Sequence, residues 1–340
     1  MTTESLPTTD TPPPVQARRD IAPLLLVPAL LIAALPLVGS PSTWLTLTVA
    51  GLAMGLMVFV MASGLTLTFG LMDVLNFGHG AFIAVGAFIA ATVMLALAPW
   101  MAADSLWLNL AAVAPAVLAA MALSGALGWG FERVIVKPVY GQHLKQILVT
   151  MGGLIVAEQL LKVVWGPDQI TLARPPALRG AFVLGEVAIE KYRVLAVAVG
   201  LVVFVAMQLA LNRTRIGLLV RAGVENAEMV EALGYRIRRV FVGVFVVGSA
   251  LAGLGGALWA LYQETVTAAI GAQVMVLIFI VIIIGGLGSV GGCFVGALLV
   301  GLVANYVGFL APKVALGTNI LLMALILLWR PQGLYPVAKR

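Results

Sequence analysis

The sequence predicts an all-α fold: a polytopic membrane bundle of about ten transmembrane helices, several of them broken at glycine-rich turns. Three observations carry this. Of 340 residues, 62% are hydrophobic and only 10% charged, with a mean hydropathy of +1.09, whereas a soluble domain carries about 25% charged residues. Several apolar runs reach the roughly 20 residues that cross hydrocarbon as a helix. No segment alternates apolar and polar positions as the strands of an outer-membrane barrel do.

Apolar runs place spans at 21–39, 45–69, 72–98, 109–131, 147–165, 194–211, 241–261, 273–287, 290–310 and 317–329. Residues 1–20, rich in Thr and Pro and without apolar periodicity, read as a disordered cytoplasmic tail ending at Arg18 and Arg19. The first span is read as a retained helix made irregular by Pro23, Pro28 and Pro36, with a cleaved signal peptide as the competing reading. The transmembrane domain then runs over 21–335. An even number of spans puts both termini on one side. If that side is the cytoplasm, Arg18, Arg19, Arg133, Lys137, Arg236, Arg238, Arg239 and most other basic residues lie inside, and Lys162, Arg174, Arg179, Lys191, Arg193 and Lys313 lie outside, in agreement with the positive-inside rule. The net charge of +6 and pI near 9.7 therefore encode topology, and no nucleic-acid site is read. The lone cysteine, Cys293, excludes a disulfide within the chain, and a thiolate metal site is not expected.

The stretch 49–91 organises the chain. An apolar run breaks at LMDVLNFGHG and resumes as AFIAVGAFIAA, leaving Asp73, Asn76 and His79 in the break beside Gly80. Irregular backbone at membrane depth persists only where protein buries it or where it lines a polar cavity. Those residues therefore read either as a translocation path or as a hydrogen-bonded staple between helices. A second break, IGGLGSVGG at 284–292, contains Gly285, Gly286, Gly288 and Ser289 and reads as a tight helical hairpin or a backbone-lined passage. Small residues recur every fourth position at Gly248, Ala252, Gly256 and Ala260, and at Gly288, Gly292 and Gly296, which predicts close helix packing.

Residues 212–240 form a long inside loop, NRTRIGLLVRAGVENAEMVEALGYRIRRV. Asn226 is placed to cap a short helix, Glu228 suits its positive end, and Met229, Val230 and Leu233 give it an apolar face. Glu231 lies within it and Gly234 stops it. Such a face flanked by arginines suits docking of another protein, a helix on lipid headgroups, or arginines that only set topology. The outside segment 166–193 reads as a partner contact or a solvated loop. Catalysis has no support: His79 and His143 belong to no H-E-x-x-H pattern, no G-x-S-x-G occurs, and no G-x-x-x-x-G-K-[ST] loop is present to bind ATP. Asp73, Glu132, Glu158 and Glu264 lie in or beside spans as the candidates for paired carboxylates.

Four blocks in order resemble one family. GLTLTFGLMDVLNFGHGAFIAVGAF, GWGFERVIVKPV, RTRIGLLVRAGVENAEMVEALGYRIRRVFVGVFVVGSALAGLGGALWA and IIIGGLGSVGGCFVGALLVG are similar to the conserved blocks of permeases of branched-chain amino acid importers, the LivH type of ATP-binding-cassette transporter. The resemblance implies a transport subunit of the inner membrane with no cofactor of its own. Its partners would be a homologous permease of LivM type, two ATPase subunits that hold ATP and Mg, and a soluble binding protein. Residues 227–234 occupy the place of the helix that seats in the ATPase, without the usual Glu-Ala-Ala motif. Related members carry urea and short amides, and these blocks do not separate the solutes. The rival class is an ion-coupled secondary transporter using Asp73, His79 and Glu158.

Overall fold

The structure is a computed structural model describing residues 22–72 and 74–335. The expected tail at 1–20, Asp73, Lys339 and Arg340 lie outside the described residues.

Each expected span corresponds to a helix. These are α1 (Ala22–Val38), α2 (Pro41–Met72), α3 (His79–Ala96), α5 (Leu106–Phe131), α6 (His143–Trp165), α7 (Lys191–Arg213), α10 (Ile237–Gln263), α11 (Ile270–Gly285), α12 (Val290–Leu310) and α13 (Ala315–Trp329). Short helices intervene: α4 (Ala98–Ala102), α8 (Arg215–Glu225) and α9 (Ala227–Ala232). Seven of the long helices have the length and hydropathy to cross a bilayer, while α1, α11 and α13 are shorter apolar helices. The chain is thus a multi-pass helical membrane protein.

α1 corrects one expectation. Pro28 and Pro36 lie inside a continuous helix, each removing one backbone donor without ending it.

The centre is built from α2, α3, α10 and α12, which pack on one another and on α5, α7 and α11. The most apolar windows of α2 and α3 are 67% buried, against 11% in α6, which lies at the rim. Small residues permit the close crossings, as the spacing predicted. At Gly64 and Gly248 the backbones of α2 and α10 meet, and any side chain at Gly64 would collide with the Gly248 carbonyl.

Two ends follow from the contacts. At one, the segment 166–190 is folded, which corrects the solvated-loop reading. β1 (Ile170–Thr171) pairs antiparallel with β4 (Thr265–Val266), with Ile170 opposite Val266, and β2 (Ala181–Leu184) forms a hairpin with β3 (Val187–Glu190). Arg174 binds this end together, donating from Nε to the Leu261 carbonyl and from a terminal nitrogen to the Tyr262 carbonyl, both at 2.8 Å. It also pairs with Glu264 at 3.0 Å and Glu190 at 3.4 Å. At the other end lie the close of α2, the α11–α12 turn and the C-terminal residues, where Tyr335 N–H donates to the Gly285 carbonyl at 3.0 Å.

Candidate functional sites

The first break is a re-entrant segment. α3 begins at His79, whose Nε2 lies 2.9 Å from the Met61 carbonyl. Met61 is eleven residues before the end of α2 at Met72, about 16 Å along the helix axis. After α2 the chain therefore turns back into the bundle before α3 starts. This corrects the expected start of that span at 72 and the placing of His79 and Gly80 in the break, because both belong to the first turn of α3.

Residues 74–76 are neither helix nor strand, and their backbone groups need partners at depth. Two side chains of α6 supply them. Gln146 Oε1 accepts from Leu75 N–H at 3.4 Å, and Thr150 Oγ1 accepts from Phe77 N–H at 3.1 Å. Val74 and Asn76 are buried, and Phe77 packs on Phe279 of α11 with ring centroids 4.6 Å apart. Gln146 and Thr150 were missed in the sequence. The signal available was a pair of uncharged polar residues four apart in the first turns of a span.

The expected site residues fare differently. His79 ties α3 to α2, and Gly80 lies where α3 touches the Gly271 backbone of α11. The side chain of Asn76 has neither a donor nor an acceptor partner, although only 1% of the residue is exposed. Gly285 ends α11, Gly286 and Gly288 take positive φ of 95° and 82°, and Ser289 Oγ caps α12 by accepting from Gly292 N–H at 3.1 Å. The second break is a tight turn between two helices. Gly288 is required twice, by its left-handed backbone and by contact with Gly70 of α2.

The 212–240 segment holds two helices rather than one. Thr214 Oγ1 accepts from Gly217 N–H to cap α8, which the sequence reading did not separate, and Ile216 and Leu218 of α8 are exposed. Asn226 Oδ1 accepts from Met229 N–H at 2.9 Å to cap α9, with Glu228 in its first turn, and Gly234 follows at φ 85°. The expected single apolar face is split. Residues 229 and 233 share a face while 230 is a hundred degrees round the helix, so Val230 is buried and Met229 and Leu233 are 62% and 71% exposed. Beside them opens a cleft of about 420 Å³ lined by Glu231, Gly234, Tyr235, Arg236, Arg238 and Arg239.

Of the four carboxylates considered for pairing, Asp73 lies outside the described residues, and Glu132, Glu158 and Glu264 do not form one site. Glu158 pairs with Lys162 at 2.8 Å and Glu264 with Arg174. Glu132 is buried at the start of a π-helical turn (Glu132–Val136) and accepts from the Tyr140 hydroxyl at 2.7 Å. Burial, and then the bond and negative charge of Glu132, push the Tyr140 hydroxyl upward from its usual range, with Arg238 opposing, so Tyr140 stays protonated as the donor.

A broken-helix membrane bundle with a capped, partly apolar helix projecting at one end is the architecture of a transport permease. The chain belongs to the family described as branched-chain amino acid transport system, permease component, whose pattern matches residues 47–329. It is 30% identical to the high-affinity branched-chain amino acid transport system permease protein BraD of Pseudomonas aeruginosa, over 84% of this chain and 94% of that protein. It is 26% identical to LivH of Escherichia coli over 84% and 92%. A probable branched-chain amino acid permease LivH of Methanocaldococcus jannaschii is 23% identical over 77% and 80%. No solved structure matches the chain significantly.

Proposed function

We propose that this chain is the translocating subunit of an ATP-driven importer for branched-chain amino acids or related small polar solutes such as urea and short amides. The transport role and the importer class rest on the family and on the relatives' names. The path runs beside the two breaks, past Asn76 and the first α3 residues His79 and Gly80 at one, and past Gly285, Gly286, Gly288 and Ser289 at the other. Both segments abut α2, and Phe77 on Phe279 links the first to α11.

The observation that carries the coupling is the exposure of Met229 and Leu233 on the capped helix α9. An apolar pair held on a rigid, charge-flanked helix fits a groove in a partner protein. In this reading Asn226 and Gly234 fix the ends of the helix, Glu228 and Glu231 meet basic groups of an ATPase, and rocking of the partner reaches the bundle through α8 and α10. The complex contains a homologous LivM-type permease, two ATPase subunits holding ATP and Mg, and a soluble binding protein that supplies most selectivity. The chain sits in the inner membrane with both termini cytoplasmic.

Extraction in mild detergent followed by mass spectrometry tests the assembly. Recovery of two ATPase subunits and a second permease with this chain is the expected result. Recovery of the chain alone, or only with copies of itself, contradicts it.

A further inference from the structure

Both polar atoms of the Asn76 carboxamide, Nδ2 and Oδ1, are buried and without a partner. Buried polar groups are paired in the great majority of cases, and an orphaned one invites an explanation. Backbone groups around it are paired. The Asn76 carbonyl accepts from His79 N–H, and the amides of Leu75 and Phe77 are taken by Gln146 and Thr150. The side chain is left over beside them.

The surroundings are aromatic. A side chain added at Gly78 would collide with the Phe131 ring and approach Asn76 Oδ1, so the ring and the carboxamide flank the same glycine. Phe131 packs edge-on against Phe82, and Phe82 in turn against Phe245 and His79. A carboxamide that both donates and accepts, set beside a cluster of rings, matches a small solute that has a polar head with both functions and an apolar body.

The hold on the segment is also of a kind that can release. Gln146 and Thr150 belong to α6, the least buried of the spanning helices, which packs mainly on α3 and the 132–139 turns, with Gly153 against the Phe131 ring at the end of α5. Movement of α6 removes both acceptors from residues 75 and 77 together.

We infer that Asn76 is a solute-binding residue of the path, pairing with the head of a zwitterionic apolar amino acid when withdrawal of the Gln146–Thr150 latch opens the segment. The inference rests on the importer reading and names the contact within it. The carboxamide, unpartnered in the structure, is paired by the solute.

The test uses the complete complex, with its ATPases and binding protein, in proteoliposomes. Asn76→Leu keeps the volume and removes the unpaired atoms. Replacing an unsatisfied polar group by an apolar one is neutral or stabilising, so the thermal midpoint of the purified complex is expected to hold or rise while ATP-driven uptake of labelled leucine falls about tenfold or more, as at sites built to hydrogen-bond a substrate. In a Cys293→Ser background, a cysteine introduced by Asn76→Cys is expected to react with a small thiol reagent during turnover and to be protected by excess leucine. A lowered midpoint in Asn76→Leu shows a structural staple and overturns the inference, as do unchanged uptake or labelling indifferent to leucine. A wild-type complex that takes up no leucine overturns the solute class and with it the inference, whereas the importer reading falls only if the chain is recovered without ATPase subunits.

Discussion

The His79 imidazole and the Met61 carbonyl meet at 2.9 Å although eighteen residues separate them. That bond fixes where α3 begins and obliges residues 74–78 to run back into the bundle. The consequence is an irregular segment inside a membrane protein, held by side chains of a peripheral helix.

Weakening the latch is expected to free that segment. Gln146→Leu with Thr150→Val removes both acceptors and leaves the Leu75 and Phe77 amides without partners, at a cost of about 1–3 kcal/mol for each buried donor. Faster hydrogen exchange at residues 74–78, with α10 and α12 unchanged, is the expected outcome. Unaltered exchange there would show that the two side chains do not hold the segment.

The α2 to α11–α12 contact is expected to be intolerant of side chains. Gly288→Val places a β-branched residue at φ 82° against Gly70, a backbone region that L-residues rarely take. The variant is expected to be lost from the membrane or to melt well below the wild type, whereas Gly308→Ala, where a Cβ meets nothing within 4 Å, is expected to behave as wild type. Equal midpoints for the two would refute the packing argument.

How much of this was legible in the sequence depended on the reach of the interactions. The span at 290–310 is found to the residue, because the glycine turn before it and Ala311-Pro312 after it are local signals. The start of α3 was misplaced because the partners of its preceding segment, Gln146 and Thr150, lie more than seventy residues away. The same holds for β1 and β4, whose pairing joins residues 170 and 266. Asn226 was legible as a cap, since an Asn followed three residues later by an available amide is a local motif. The burial of Val230 beside exposed Met229 was not, because it depends on where the rest of the chain lies.

Removing the Tyr140 hydroxyl is expected to destabilise the π-helical turn. Tyr140→Phe keeps the ring and deletes the donor to the buried Glu132 carboxyl, and is expected to cost about 1–3 kcal/mol. Chemical denaturation of the purified protein reads this. Tyr140→Phe with Glu132→Leu should recover most of the loss, and failure to recover would show that the pair is not the cause.

Arg174 is expected to govern the folded end that carries the β-hairpin. Arg174→Met removes its bonds to the Leu261 and Tyr262 carbonyls and its pairing with Glu264 and Glu190. Faster protease cleavage within 166–190 is expected, with the membrane helices intact. Cleavage at the wild-type rate would contradict the assigned role.

The central claim is that α9 transmits work from a separate ATPase. The most direct measurement compares ATP hydrolysis with leucine uptake in proteoliposomes holding the whole complex, with wild-type chain or with Met229→Asp and Leu233→Asp together. A docking face tolerates no uncompensated buried charge, so the double variant is expected to remain in the membrane and lose ATP-driven uptake, with hydrolysis no longer stimulated by the loaded binding protein. Wild-type uptake at the wild-type ratio of ATP consumed would contradict the claim.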